Sequence, residues 1–443
     1  MLTFLQTQNI GPIQNMRLDF GERINILTGD NGLGKSFVLD IAWWAMTRRW
    51  PADVNPKLIS GRKAIPQHED AAISFSFEAN SCQENYTSEF RPELQEWVGR
   101  KGRPSNPGLV IYAMSDGSFA IWDPHRNYWK SSTVAENEDD DFIEDLRKEH
   151  PPAYVFSPNE VWDGLNANSS GTSPMWLCNG LIRDWASWQK ENGTPFLCLK
   201  EVLRVLSPEM EDIIPGELTR ISLNDVRDMP TIRMPYGEDV PVVHASAGIR
   251  RIMAMAYLLV WLWEEHKRAA KLLRKDPTDR ITFLIDEIES HLHPSWQRTI
   301  IPALVKVMDN LTQSDTSLQL ITATHSPLVM ASLEPWFDAE KDAWFDLNLN
   351  QQGLATMSKQ DFIKLGDAAN WLTSDAFDLD TSYSKDAEAV LKKASIFTKS
   401  QNPDKKQALE LTGELQKVLS DIDPFWLSWL AFCQRHKIDY GTR

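Results

Sequence analysis

The octapeptide Gly29-Asp-Asn-Gly-Leu-Gly-Lys-Ser36 governs how the rest of this 443-residue chain is understood. It fits the pattern GxxxxGK[ST], and its flanks fit too. The apolar run Ile24–Leu27 leads straight into it, and Phe37, Val38, Ile41, Ala42, Trp44 and Ala45 follow at the spacing of a largely buried helix. A strand, a glycine-rich turn and a helix N-terminus together make a cradle of backbone N–H groups for a phosphate. Gly29, Gly32 and Gly34 free the backbone for that turn, and Asn31, Leu33 and Phe37 belong to the same nucleotide-binding segment. Lys35 is expected to reach the β- and γ-phosphates of ATP, and the Ser36 hydroxyl to ligate Mg²⁺.

Far downstream, Phe283-Leu-Ile-Asp286-Glu287 ends an apolar strand on two adjacent carboxylates. At the C-terminal edge of a parallel sheet such residues face the phosphate loop. Asp286 is expected to hold Mg²⁺ and Glu287 to act as general base, because attack on a γ-phosphate needs a positioned water more than covalent help. Two weaker stretches complete the set. Ala245-Ser246-Ala247-Gly248-Ile249-Arg250-Arg251 opens a long helix, where Ser246 and Gly248 can bind a γ-phosphate through hydroxyl and backbone N–H, with Arg250 beside them. Thr324-His325-Ser326-Pro327 follows an apolar strand, and His325 can hydrogen-bond the γ-phosphate and its water.

Four elements in this order resemble the ABC-type ATPases of the OLD, RecF and SMC branch, whose motifs are matched by DEIESHLHP and THSP. The resemblance implies an α/β P-loop NTPase fold: an ABC-type head with a β-rich N-terminal part, an inserted helical region and a helical C-terminal extension. It also implies ATP sandwiched between two heads, so that Lys35, Ser36, Asp286, Glu287 and His325 act from one copy. Ser246, Gly248 and Arg250 then act from the other, and Ser290–Pro294 takes the place of the D-loop. Ala247 and Ile249 depart from the usual signature, which implies slow hydrolysis. Gln67 and Gln83 are both candidates for the Q-loop glutamine. His291 and His293 form an HxH without further ligands and suit a subunit contact better than a metal.

Bulk properties narrow the class. A net charge of −16 counts against general nucleic-acid affinity and so against a RecF-like repair ATPase acting directly on DNA. The four scattered cysteines (Cys82, Cys178, Cys198, Cys433) fit a reducing cytoplasm, with neither structural zinc nor a disulfide framework. The N-terminus has no signal-peptide character, and Ile252–Trp263 is too short for a membrane span, so no membrane association is expected. Most of the 18 tryptophans, including Trp43–Trp44 and Trp426–Trp429, are expected in cores or subunit contacts. The acidic run Glu136–Asp141 reads as a solvated loop.

The expected organisation is an N-terminal half of the ATPase core at 1–130, an insertion at 131–215 and the second half of the core at 216–335. A helical, partner-binding extension at 336–443 follows. Roughly 110 residues after the switch histidine are too few for an appended TOPRIM nuclease. Asp378-Leu379-Asp380 lacks a preceding apolar strand, so the chain itself is not expected to be a nuclease. Its architecture and tail resemble the ATPase subunits of two-gene antiphage systems. The Septu type, whose partner is an HNH nuclease, comes first; the PARIS type, which restrains a TOPRIM-type toxin nuclease, comes second. That resemblance implies a head dimer, a higher homo-oligomer, and contact with DNA through the complex. A transporter motor and an ATP-locked scaffold without turnover are other classes, and Glu287 and His325 favour hydrolysis over the latter.

Overall fold

The computed structural model describes residues 1–77, 84–99, 105–127, 152–167, 175–209, 211–312, 316–400 and 403–438. Cys82, Gln83 and the Glu136–Asp141 run fall outside them. The described residues divide into two compact units, Met1–Trp371 and Leu372–Arg443.

The first unit opens with β1 (Leu2–Gln8), β2 (Asn15–Asp19) and β3 (Ile24–Gly29), followed by helix α1 (Lys35–Thr47). Next come β4 (Ala72–Phe77), β5 (Glu84–Arg91), β6 (Glu96–Gly99), β7 (Leu109–Ala113), β8 (Phe119–Trp122) and β9 (Tyr154–Phe156). Two small antiparallel sheets follow: β10 (Leu165–Ala167) with β11 (Met175–Cys178), and β12 (Ile214–Pro215), β13 (Thr231–Arg233) and β14 (Asp239–Pro241). After the long helix Ala247–Leu273 come β15 (Arg280–Ile285), β16 (Ser317–Ala323), β17 (Ala343–Leu349) and β18 (Ala355–Gln360).

The central sheet has eight strands in the order β18-β17-β3-β16-β15-β7-β8-β9. Its middle five strands, β17 to β7, are mutually parallel, and antiparallel strands close both sides. Parallel strands buried on both faces need near-continuous apolar runs, and every residue of β3 is buried. A second, antiparallel sheet (β2-β1-β4-β5-β6) shares one core with α1. Trp44 stacks on Trp50 there and meets Phe75 and Trp97 edge-on. The buried amide of Gln319 ties the two sheets by accepting from Leu2 N–H and donating to the carbonyls of Leu2 and Gly21.

The architecture is the expected α/β P-loop type, but two boundaries move. Residues 343–360, expected in a helical extension, instead add β17 and β18 to the central sheet, with β17 directly beside β3. Trp344 and Phe345 are buried there, and Asp346 accepts the hydroxyl of Thr28 at 2.6 Å, so the polar residues in AWFDLNL are satisfied inside the sheet. Within the expected insertion, β9 likewise pairs with β8.

The second unit is helical. Helices Lys385–Phe397, Lys405–Val418 and Phe425–Arg435 bury Ala394, Leu411, Leu415, Trp429 and Phe432, and the Trp429 indole donates to Thr412 Oγ1 at 3.0 Å. Among the described residues, no helix is long and apolar enough to cross a membrane.

Candidate functional site

Strand order determines what can meet. β3 ends in the glycine-rich loop, β16 runs beside it and ends at Thr324-His325, and β15 runs beside β16 and ends at Asp286-Glu287. Because all three are parallel and in register (Leu27 with Ala323, Ile285 with Thr322), their C-terminal ends lie along one edge.

In the loop, Gly29, Gly32 and Gly34 all have φ near +80 to +120°, a backbone region closed to side chains with a β-carbon. Gly29 is further constrained: a β-carbon there would sit 2.0 Å from the Leu347 carbonyl of β17. The Lys35 ammonium donates to the carbonyls of Gly29 and Asp30, both at 2.8 Å, and so lies back across the loop. Burial lowers its pKa, opposed by the nearby carboxylates of Asp286, Asp30 and Glu287.

The hydroxyls of Ser36 and of Ser115, just past the end of β7, lie near enough to the Asp286 carboxylate to hold its pKa down. Asp286 is buried, its pKa is raised by that burial, and its Oδ1 has no hydrogen-bond partner. An orphaned carboxylate oxygen beside a hydroxyl is a donor set that a divalent cation would complete. Glu287 follows in a left-handed conformation, φ +48°, which turns the chain sharply off the strand. His325 lies close enough to Lys35 for the ammonium to lower its pKa further, after burial.

The signature segment is placed differently. Ser246 caps the helix Ala247–Leu273, accepting from Ile249 N–H, and a β-carbon on Gly248 would lie 2.5 Å from the His291 carbonyl of the same copy. Arg250 is exposed and lines a cavity of about 460 Å³ with Asp116, Trp162, Arg227 and His291. Arg251, which sequence reasoning passed over, is the one turned inward. It donates from Nη2 to the carbonyls of Asp286 (2.9 Å) and Glu287 (3.0 Å), and from Nη1 to that of Ser115 (3.1 Å). Glu289 was also missed: it accepts the Thr324 hydroxyl at 2.7 Å and the His325 N–H at 2.5 Å. Its only sequence signal was its place two residues after Glu287.

Gln67 donates to the Gly11 carbonyl at 2.7 Å, and Ser115 is a polar residue just past the end of β7, the strand next to β15. His293 caps a short helix and bonds Ser295 Oγ at 2.8 Å. Asp380 pairs with Lys392 on an exposed surface. Among the described residues, no group of three or more His, Cys, Asp or Glu side chains is arranged to hold a metal ion.

A family profile described as "AAA domain, putative AbiEii toxin, Type IV TA system" matches residues 24–331, more than half of the chain and all four motifs. The chain belongs to this family. As a member of the AAA-domain family it is similar to "Retron Ec83 probable ATPase" of Escherichia coli, 29% identical over 142 residues, or 30% of this chain and 22% of that protein. It is also similar to "Retron Vc95 probable ATPase" of Vibrio cholerae serotype O1 biovar El Tor, 46% identical over 118 residues, or 26% of this chain and 20% of that protein. The aligned part thus spans about a fifth of each relative's length. Among solved structures the chain is similar to the SMC head domain from Thermotoga maritima, with TM-score 0.38, 13% identity and coverage of 81% of this chain and 99% of that one. A second is the recombination mediator protein RecF, with TM-score 0.35, 12% identity and coverage of 81% and 98%.

Proposed function

We propose that this AAA-domain protein hydrolyses ATP between two head domains and uses that cycle to gate a partner nuclease in antiviral defence. The observation that carries the reading is the meeting of Lys35, Ser36, Asp286 and His325 along one sheet edge, with Glu287 next in the chain.

In this reading the loop Gly29–Ser36 wraps the β- and γ-phosphates with its N–H groups, and Lys35 transfers its two hydrogen bonds from the Gly29 and Asp30 carbonyls to phosphate oxygens. Asn31, Leu33 and Phe37 flank that wrap. Ser36 and Asp286 would hold Mg²⁺, which would supply charge neutralisation at the phosphates. Glu287 orients and polarises the attacking water. His325, whose pKa is lowered by burial and by Lys35, hydrogen-bonds the γ-phosphate. Ser246, Gly248 and Arg250 act on the nucleotide of a second copy. The exposure of Arg250 and of the signature turn supports that assignment.

Similarity to proteins named as retron ATPases supports a defence role. The partner, a nuclease of the HNH type, would be held by the helical unit from Leu372 onward, and DNA would be reached through that complex.

The test is steady-state phosphate release for wild type and Glu287→Gln, with the oligomeric state followed by light scattering in ATP. Loss of turnover with ATP-trapped dimers supports the reading. Turnover equal to wild type in the variant would remove Glu287 as the base and the reading with it.

A further inference from the structure

The short helix Pro158–Asp163 and the start of the helix Ala247–Leu273 both line the cavity of about 460 Å³, a size typical of small-molecule sites. Asn159 and Trp162, three residues apart, share one face of the short helix and both reach this space. Arg227 lines it too, anchored by Asp163 at 2.6 Å and Asp225 at 2.8 Å, so that wall is fixed before any ligand arrives. Arg250 and His291 complete the polar lining. The charged groups around the cavity differ in what they already hold. Arg227 is neutralised by its two carboxylates, and Arg251 directs its fork to the carbonyls of Ser115, Asp286 and Glu287. Asp116 accepts from the Ser60 hydroxyl at 2.7 Å and the Ser118 N–H at 2.8 Å. By contrast, the side chains of Asn159, Trp162, Arg250 and His291 have no hydrogen-bond, ion-pair or ring partner among the described residues. In a chain of net charge −16, an arginine with no carboxylate beside it is free to take an anion.

We propose that this cavity binds a nucleoside monophosphate, at a site separate from the glycine-rich loop. The Trp162 ring offers a face for the base, and the Asn159 amide has a donor and an acceptor for the base edge. Arg250 pairs with the phosphate and His291 adds a second donor. One unpaired guanidinium suits a single phosphate. A triphosphate would bring its larger charge against Asp116 and Asp163 on the same wall and lacks the wrap of backbone N–H groups that Gly29–Ser36 supplies. Arg250 is assigned above to the nucleotide of a second copy, so a monophosphate in the cavity draws on the same guanidinium and slows turnover. That consequence rests on the sandwiched-ATP reading; the site itself does not.

The experiment titrates AMP, GMP, CMP and UMP into the full chain by calorimetry, without ATP, and repeats the titration with Lys35→Ala, Trp162→Ala and Arg250→Gln, each checked by thermal melting. At least one monophosphate should bind wild type at one per chain, and Lys35→Ala, whose phosphate loop is disabled, should bind it within about threefold of wild type. Trp162→Ala and Arg250→Gln should each weaken it at least about tenfold, the scale of one lost stacking or charged contact. The corresponding nucleoside and ribose 5-phosphate, each lacking one half of the ligand, should bind at least about tenfold more weakly for the same reason. Binding lost in Lys35→Ala would place the ligand in the phosphate loop and overturn the proposal. So would binding unchanged by both Trp162→Ala and Arg250→Gln, binding that appears only once ATP is added, or no binding to wild type at millimolar concentration. Should Lys35→Ala fail to fold, the other two variants and the half-ligands decide alone. Turnover that stays at its rate with the cavity filled would overturn only the consequence for Arg250, and full turnover by Glu287→Gln would sink the sandwiched-ATP reading while leaving the site standing.

Discussion

The hydroxyl of Ser36, in the first turn of α1, lies beside the carboxylate of Asp286 at the end of β15, near enough to oppose the rise that burial gives its pKa. That single contact brings the phosphate loop and the carboxylate strand to one point. It does so at a cost, since Asp286 is buried with one oxygen unpartnered. Replacing it by asparagine removes a buried charge whose burial already raises its pKa. Asp286→Asn should therefore melt at the wild-type temperature or above, with a gain of up to about 2 kcal/mol without nucleotide. Mg²⁺-dependent phosphate release should fall at least about 100-fold. Calorimetry and a phosphate assay on the same preparation check both; a less stable variant with normal turnover would contradict the assignment.

Two glycines should respond differently to alanine. Gly29 combines φ +118° with a carbonyl 2.0 Å from any added β-carbon, so Gly29→Ala should cost roughly 3 kcal/mol or more of stability. Gly248 has no such backbone demand and meets only the His291 carbonyl. Gly248→Ala should cost about 1–2 kcal/mol and lower turnover while nucleotide binding persists. Urea unfolding of the two variants separates them, and equal losses would refute the distinction.

Burial raises the Asp40 carboxyl to about 7, against the stabilising hydrogen bond it accepts from the Tyr112 hydroxyl at 2.9 Å. For an acid raised on folding, the associated stability is fully present below its unfolded pKa and is lost as pH rises through the folded one. Asp40→Asn keeps the acceptor and abolishes the ionisation. Its stability advantage over wild type should grow between about pH 4 and 7, level off above, and reach on the order of 1–3 kcal/mol. A difference that is flat with pH in chemical denaturation would exclude this account.

Burial, reinforced by Lys35, lowers the pKa of His325 below its ordinary value. The acid limb of the kcat profile assigned to it should thus lie below pH 6.5. His325→Gln should lower kcat about 10- to 100-fold and abolish that limb. A limb unchanged in the variant would assign it to another group.

The motifs at 29–36 and 283–287 were legible because each is local: an apolar run, a turn and a helix N-terminus are neighbours in the chain as they are in space. The hairpins around Asp116–Gly117 and Gly237 are local in the same way, each joining strands that are neighbours in the chain. β17 was not, because its justification is a pairing with β3 some three hundred residues earlier, and Asp346 looks unsuited to a sheet until Thr28 is seen beside it. Ser115 carries no local signal in the sequence, since its closeness to Asp286 exists through the pairing of β7 with β15.

Arg250 and Arg251 show the same limit most sharply. Adjacent residues on a helix point about 100° apart, and composition cannot say which of two arginines faces inward. The amino-acid order alone determined the chemistry available: a phosphate-wrapping loop, a carboxylate pair and a histidine, each at the end of an element. Only the folded chain decided the company they keep, because strand adjacency and helix rotation are set by burying distant apolar faces together, and no local window of residues contains that information.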